Sequence, residues 1–342
     1  MKFAIVNIFY PMNKEHINKS LEKLNLKYQS MGQDLSAYLD GLLLSNYTTY
    51  WNYINVDTLL TLQKPKTDFP DEEIFIMYHQ ITELYFKMCL NEMEQIAHNG
   101  QIIGENGEDL GWNEKLDVTF FIKRLGRMNR YFETLTHSFD IMVQGMEKEQ
   151  FQRFRMALLP ASGFQSAQYR LIEFAATPLI QLVRKEKIND CLNASIEEKY
   201  EHIYWKEGAT EVETGQKTLT LEQFEKKYKN EFINWIKRFE QKNIYQKYLE
   251  LDRESKNSSE LKEALRNFDL NVNVFWPLVH YKSAVRYLQQ NNKDVVATGG
   301  TNWQQYLPPR FQKRIFFPEL WSDKEKNDWG KGWVVKEVFG EE

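Results

Sequence analysis

Between Phe75 and Ile96 the apolar positions fall on nearly every side of a helical wheel, which predicts a long, buried helix. From Leu221 to Tyr248 the pattern changes. Charged and aromatic residues alternate there at helical period, predicting a half-exposed amphipathic helix. Proline placement permits helices of this length: none lies between Pro70 and Pro160, and none between Pro178 and Pro277. No series of alternating runs joined by tight turns is present, so strands are not expected to build the fold.

The breaks are also readable. Gly100, Gly104, Gly107 and Gly111 mark a loop between two helices. Residues 207–220 are polar with two glycines and read as a surface excursion. Ala297-Thr298-Gly299-Gly300 reads as a flexible segment ahead of Pro308-Pro309. No internal repeat and no linker divides the chain. The expectation is an all-α multi-helix bundle forming a single domain over 1–342. Residues 1–31 would be an N-terminal extension and 322–342 a C-terminal tail.

Composition narrows the function. With 42% hydrophobic and 27% charged residues, the 342-residue chain has ample material for a core. A net charge of −4 gives no global attraction for nucleic acid or an anionic membrane. No apolar run approaches the ~20 residues of a membrane span. Neither nucleic acid nor membrane is therefore an expected partner. Phe3 to Tyr10 is apolar but short, and Lys14 and Glu15 follow with no small-residue cleavage site. This reads as the start of a cytoplasmic protein.

The two cysteines, Cys89 and Cys191, form no CxxC pair, which excludes a disulfide framework, a cysteine zinc site and an iron–sulfur cluster. None of the six histidines is followed by Glu, so HExxH is absent. None has Glu three residues before it, and none an acid two residues after it, which removes two further iron motifs. Covalent haem attachment through CxxCH and glycine-rich phosphate loops are absent as well.

Single histidines on apolar helices remain. His79 shares a stripe with Phe75 and Phe86, and His280 lies in Phe275-Trp276-Pro277-Leu278-Val279. Each is either a hydrogen-bonded core residue or the lone imidazole a haem iron needs in an apolar pocket. Arg155 is the only charge between Phe154 and Tyr169. It serves either an internal salt bridge or a bound carboxylate, whose geometry its fork matches. Thr298 beside two glycines sits either in an ordinary turn or on a closing loop that offers a hydroxyl.

In order along the chain, five blocks resemble the tryptophan 2,3-dioxygenase family. They are Thr49-Tyr50-Trp51-Asn52-Tyr53 with Asp57 and Leu59-Leu60; Phe75 to Lys87; Phe154-Arg155 through Ser166 to Gln168-Tyr169-Arg170; His280 with Thr298-Gly299-Gly300; and Phe316-Phe317-Pro318-Glu319-Leu320. The likeness is clear over residues 32–174 and 270–321 and thin between them.

The resemblance implies a haem enzyme that inserts both atoms of O2 across the indole C2–C3 bond of L-tryptophan, giving N-formyl-kynurenine. It implies haem b, one per subunit and ferrous in the active form, with His280 as proximal iron ligand and His79 as distal histidine near the indole N–H. Arg155 would hold the substrate carboxylate, and Thr298 its ammonium or carboxylate end. Phe75 and Phe151 would line the indole pocket, with Ser162 at the distal face. Tyr50 and Tyr53 would lie on a segment reaching a neighbouring subunit of a homotetramer. The sequence departs from the family on one loop. Ala297 replaces a glycine, Asn302-Trp303 replaces a small pair, and the stretch from His280 to Thr298 is about four residues longer than expected from a pattern match of this kind. Phe151 stands where bacterial members often have Tyr. Two alternatives follow: a related haem oxygenase for another indole or aromatic substrate, and a haem-binding helical protein without catalysis.

Overall fold

A computed structural model describes residues 13–45, 48–105, 107–158, 161, 163–209, 217–290, 293–294 and 308–331. The chain divides into two compact units, Met1–Leu62 with Glu105–Gly107, and Gln63–Gly104 with Glu108–Glu342.

The first unit is helical. Helix α1 spans Lys14–Ser30 and α2 spans Leu35–Leu44, each capped by the preceding residue's side chain: Asn13 accepts from the His16 N–H and Asp34 from the Ser36 N–H. Short helices α3 (Tyr50–Tyr53) and α4 (Val56–Leu59) follow. Across these four helices only Leu35 is buried. Leu42, Leu43 and Leu44 are all exposed, Leu43 by 81%.

The second unit is built around α5, Pro70–Ala97, which bears out the long helix expected from Phe75 to Ile96. Pro70 opens it, and Asp71, Glu72 and Glu73 complement the dipole of its first turn. Glu72 is fully buried. Burial alone would raise its carboxyl, but hydrogen bonds from the Thr67 hydroxyl and the Lys66 and Thr67 N–H groups hold it below the ordinary carboxylate range. Burial of α5 is incomplete, however. Met77, Ile81, Leu84 and Met88 form an exposed apolar stripe at helical spacing.

The glycine-marked segment after α5 holds a short hairpin, β1 (Gln101–Ile103) antiparallel to β2 (Asp109–Trp112). Helices α6 (Val118–Ser138), α7 (Asp140–Val143), α8 (Lys148–Phe154) and α9 (Ala167–Ala176) come next. Three short helices, α10 (Ile188–Cys191), α11 (Ile196–Glu201) and α12 (Tyr204–Glu207), lead to α13 (Leu219–Phe239). The amphipathic helix expected to run to Tyr248 stops at Phe239 and restarts as α14 (Ile244–Glu250). The Asn243 side chain accepts from the Gln246 N–H and so caps a new helix. Helices α15 (Arg253–Asn257), α16 (Ser259–Leu270) and α17 (Trp276–Leu288) follow, with two short helices, α18 (Pro309–Gln312) and α19 (Asp323–Asn327), after them. Helix α5 packs on α6 and α9, α6 on α16, and α9 on α13. No helix among the described residues is long and apolar enough to cross a membrane.

A π-helical turn, Asn271–Phe275, joins α16 to α17. Pro277 explains why a plain α-helix is disfavoured here: it lacks an N–H and its ring crowds the carbonyl four residues back. Residues Phe316 to Trp321 then close over α16. The Asp269 carboxylate accepts from the Phe316 and Phe317 N–H groups at 3.0 and 3.2 Å and from the Trp321 indole N–H at 2.9 Å. The chain segment expected to be a tail is partly anchored, because Trp329 is buried with its ring 4.8 Å from Trp321.

A second buried polar cluster holds α9 in place. Glu173 on α9 is fully buried and accepts from Arg170 at 2.7 Å, from the Tyr204 hydroxyl at 2.5 Å, and from Arg314. Removing that carboxylate leaves two buried guanidinium groups without their counter-charge. We expect Glu173→Ala to cost roughly 3–5 kcal/mol of stability, read as a lowered denaturant midpoint with an unchanged m-value. A midpoint equal to wild type would contradict the assignment.

Candidate haem and indole site

His79 lies two turns into α5, and helical geometry aims its Nδ1 at the carbonyl one turn back. The Nδ1–H donates to the Phe75 oxygen at 2.7 Å. His280 on α17 repeats the arrangement, donating from Nδ1 to the Trp276 oxygen at 2.9 Å. A carbonyl only accepts, so both rings carry their proton on Nδ1 and present a bare Nε2 lone pair. Among the described residues no hydrogen bond reaches either Nε2.

Both rings are held neutral. Burial pushes the His280 imidazole down to about 4, partly opposed by its bond to Trp276, and His79 lowers it further. His79 is also lowered, by burial first, against the Phe75 carbonyl and Glu83. That His79 acts electrostatically on His280 places the two imidazoles in one region. His79 is nonetheless solvent-exposed and His280 half-buried in the free chain.

Aromatic rings surround the pair. Phe75 packs on His79 with centroids 4.1 Å apart, and reaches Phe151 at 6.1 Å and Phe154 at 5.7 Å. Phe139 and Trp276 both pack against His280 at 4.4 Å. Tyr287, two turns beyond His280, packs on Phe151 at 4.4 Å with the rings tilted by 39°. Helix α8 carries Phe151 and Phe154, and Arg155 follows directly in a tight turn, Arg155–Leu158. Arg155 is only 8% exposed, and burial lowers its pKa, so its charge sits in a desolvated setting.

Ring contacts join Phe75, His79 and Phe151 and continue through Tyr78 and Phe139 to His280, with Arg155 next to Phe154 in the chain. Tyr50 and Tyr53 belong to the first unit, on α3, and are exposed by 72% and 77%. Ser162 and Thr298 lie outside the described residues. Four contacting residues were not assigned to the site from the sequence: Phe139, Phe154, Trp276 and Tyr287. Trp276 and Tyr287 could have been found, since they stand four before and seven after His280 on one helix. Phe139 had no local signal, because it arrives from the end of α6.

The donor set bears on which group the site could hold. Among the described residues no cluster of three His, Cys, Asp or Glu side chains forms a metal cage. A single neutral imidazole in aromatic surroundings suits an iron whose remaining ligands come from a macrocycle. A surface groove of about 580 Å³ between α6, α7 and α17 is distinct from this region: Phe139 and Val279 line it, but neither His79 nor His280 does.

A family model described as tryptophan 2,3-dioxygenase matches residues 42–298, more than half of the chain. The chain belongs to the tryptophan 2,3-dioxygenase family. Among curated relatives, a tryptophan 2,3-dioxygenase from a Ruegeria species is 39% identical over 126 residues, covering 37% of this chain and 40% of the relative. One from Polaromonas naphthalenivorans is 34% identical over 152 residues, covering 44% and 48%. One from Bacillus thuringiensis subsp. konkukian is 27% identical over 288 residues, covering 81% and 92%. The chain thus spans less than half the length of the first two family members, and most of the third. Its all-α architecture agrees with the family assignment.

Proposed function

We propose that the protein is a haem-dependent dioxygenase that cleaves the indole C2–C3 bond of L-tryptophan with O2 to give N-formyl-L-kynurenine, a step of tryptophan catabolism. The observation that carries this reading is the pair His79 and His280: two neutral imidazoles with bare Nε2 atoms in one aromatic region, in a chain of this family.

Haem b, when bound, supplies an iron that takes up O2. His280 is the residue that holds it, through Nε2, while the Nδ1–H bond to Trp276 fixes the ring and raises its basicity. Phe139 and Trp276 keep water from that ligand. The His79 Nε2 lone pair would accept the indole N–H of the substrate. This aligns the ring, whether or not the proton is later removed. Phe75 and Phe151 flank the flat indole. The Arg155 fork grips the carboxylate, and its low exposure makes that contact strong. Thr298 serves the ammonium or carboxylate end and Ser162 the distal face. The chain thereby contributes orientation and exclusion of water. Purified, haem-supplemented protein should show a Soret band that shifts when L-tryptophan is added. Absence of any Soret band overturns the reading.

The partners are L-tryptophan, O2 and further copies of the chain. Helices α1 to α4 bury almost none of their apolar residues, and exposed apolar surface of that extent marks an interface. Tyr50 and Tyr53 are accordingly assigned to a neighbouring subunit's pocket in a homotetramer. Light scattering after size exclusion should give a tetramer mass; a monomer would contradict this. The altered loop at Ala297 and Asn302-Trp303 favours one second reading, a related oxygenase for another indole or aromatic compound. A substrate panel in which tryptophan is untouched and another ring gains oxygen would select it.

A further inference from the structure

The π-turn before His280 is held from outside, by residues other than the rings that surround His79 and His280. In a regular α-helix the Trp276 N–H would bond the Val272 carbonyl. Here it donates to Asn271, five residues back. The Val272 oxygen freed by this shift is taken by the Tyr169 hydroxyl at 2.9 Å. Tyr169 is in turn fixed by Arg314, which donates to its oxygen at 3.1 Å. On the same turn the Asn273 side chain donates to Asp269 at 2.7 Å. Asp269 is fully buried, and its other lone pairs grip Phe316, Phe317 and Trp321.

These contacts bear on the iron ligand through geometry. The turn ends at Trp276, whose carbonyl accepts the His280 Nδ1–H at 2.9 Å. That hydrogen bond sets the orientation and basicity of a ligating imidazole. We infer that Tyr169 and Asp269 are positioning residues for His280: by fixing the π-turn they align the Trp276 carbonyl with the imidazole. This rests on His280 being the haem ligand. It also gives the Gln168-Tyr169-Arg170 and Phe316-Phe317 segments a role at the iron ligand.

The test compares wild type, Tyr169→Phe and Asp269→Asn, each supplied with haem and kept well below its unfolding temperature. Tyr169→Phe removes one hydroxyl and keeps the ring, so it decides the matter if Asp269→Asn does not fold. In the ferrous proteins the iron–histidine stretching band should move to lower frequency, because a misaligned carbonyl weakens the Nδ1–H bond. Haem affinity should fall measurably, by less than the roughly 10–100-fold that losing a direct outer partner of a metal ligand costs. Unchanged band position and affinity in a folded Tyr169→Phe overturn the inference and leave the functional reading intact. A wild type that takes up no haem removes both. A loss of thermal stability with an unmoved band also overturns the inference, since it marks a purely structural role.

Discussion

His280→Gly yields a folded protein that no longer retains haem, and added imidazole restores the Soret band. The expectation follows from the donor set. His280 presents the Nε2 assigned to the iron, in a setting where the neighbours are the rings of Phe139 and Trp276. Neither ring can take the ligand's place. The neutral state of the imidazole also matters. Because burial drives it down to about 4, protons do not compete for Nε2 near neutral pH. The fold should survive, since among the described residues the His280 side chain hydrogen-bonds to its own helix. The checks are an absorption spectrum with and without imidazole, and circular dichroism for helix content. A normal Soret band in the variant would contradict the assignment.

Arg155→Ala should weaken L-tryptophan binding by about 2–5 kcal/mol, the usual cost of losing one partner of a buried charge pair. On the affinity scale that is roughly 30- to several-thousand-fold. The size rests on burial: Arg155 is 8% exposed and already lowered by desolvation, so a carboxylate meets it with little competition from water. An indole compound without a carboxylate should bind both proteins equally. Arg155→Lys should recover only part of the loss, because an ammonium cannot reproduce the planar fork. The measurement is KM for turnover together with a spectroscopic titration. Unchanged tryptophan affinity would remove the carboxylate role.

What could be read from the sequence depended on how locally each feature is encoded. The α5 helix was legible because a long proline-free run carries apolar residues around nearly the whole helix circumference. The stripe Met77, Ile81, Leu84 and Met88 was not legible as exposed, since hydropathy does not say whether a partner lies within the same chain. The break at Asn243 was missed because its signal is a single capping side chain inside an unbroken amphipathic pattern. The hairpin was missed for a related reason: Asn106-Gly107 is a turn signal, but strands of three and four residues carry no periodicity.

The candidate site shows the same division. His79 and His280 stood out because polar rings in apolar helical runs are conspicuous. Their nearness to each other is a tertiary fact that no spacing encodes. Arg170 and Glu173 could have been paired from their i,i+3 spacing in an apolar helix. Arg314, which completes that cluster, comes from 141 residues away. The π-turn had one local cue, Pro277 inside a helical pattern. The group that takes its freed carbonyl, the Tyr169 hydroxyl, comes from another helix.

The most direct test of the proposed chemistry is a single turnover with isotopically labelled O2. Haem-loaded protein, reduced without oxygen and given L-tryptophan, is exposed to the labelled gas and its product weighed by mass spectrometry. The expected result is N-formyl-kynurenine carrying both labelled atoms. A product with one labelled atom, or tryptophan recovered unchanged from haem-loaded protein, would contradict a ring-cleaving dioxygenase.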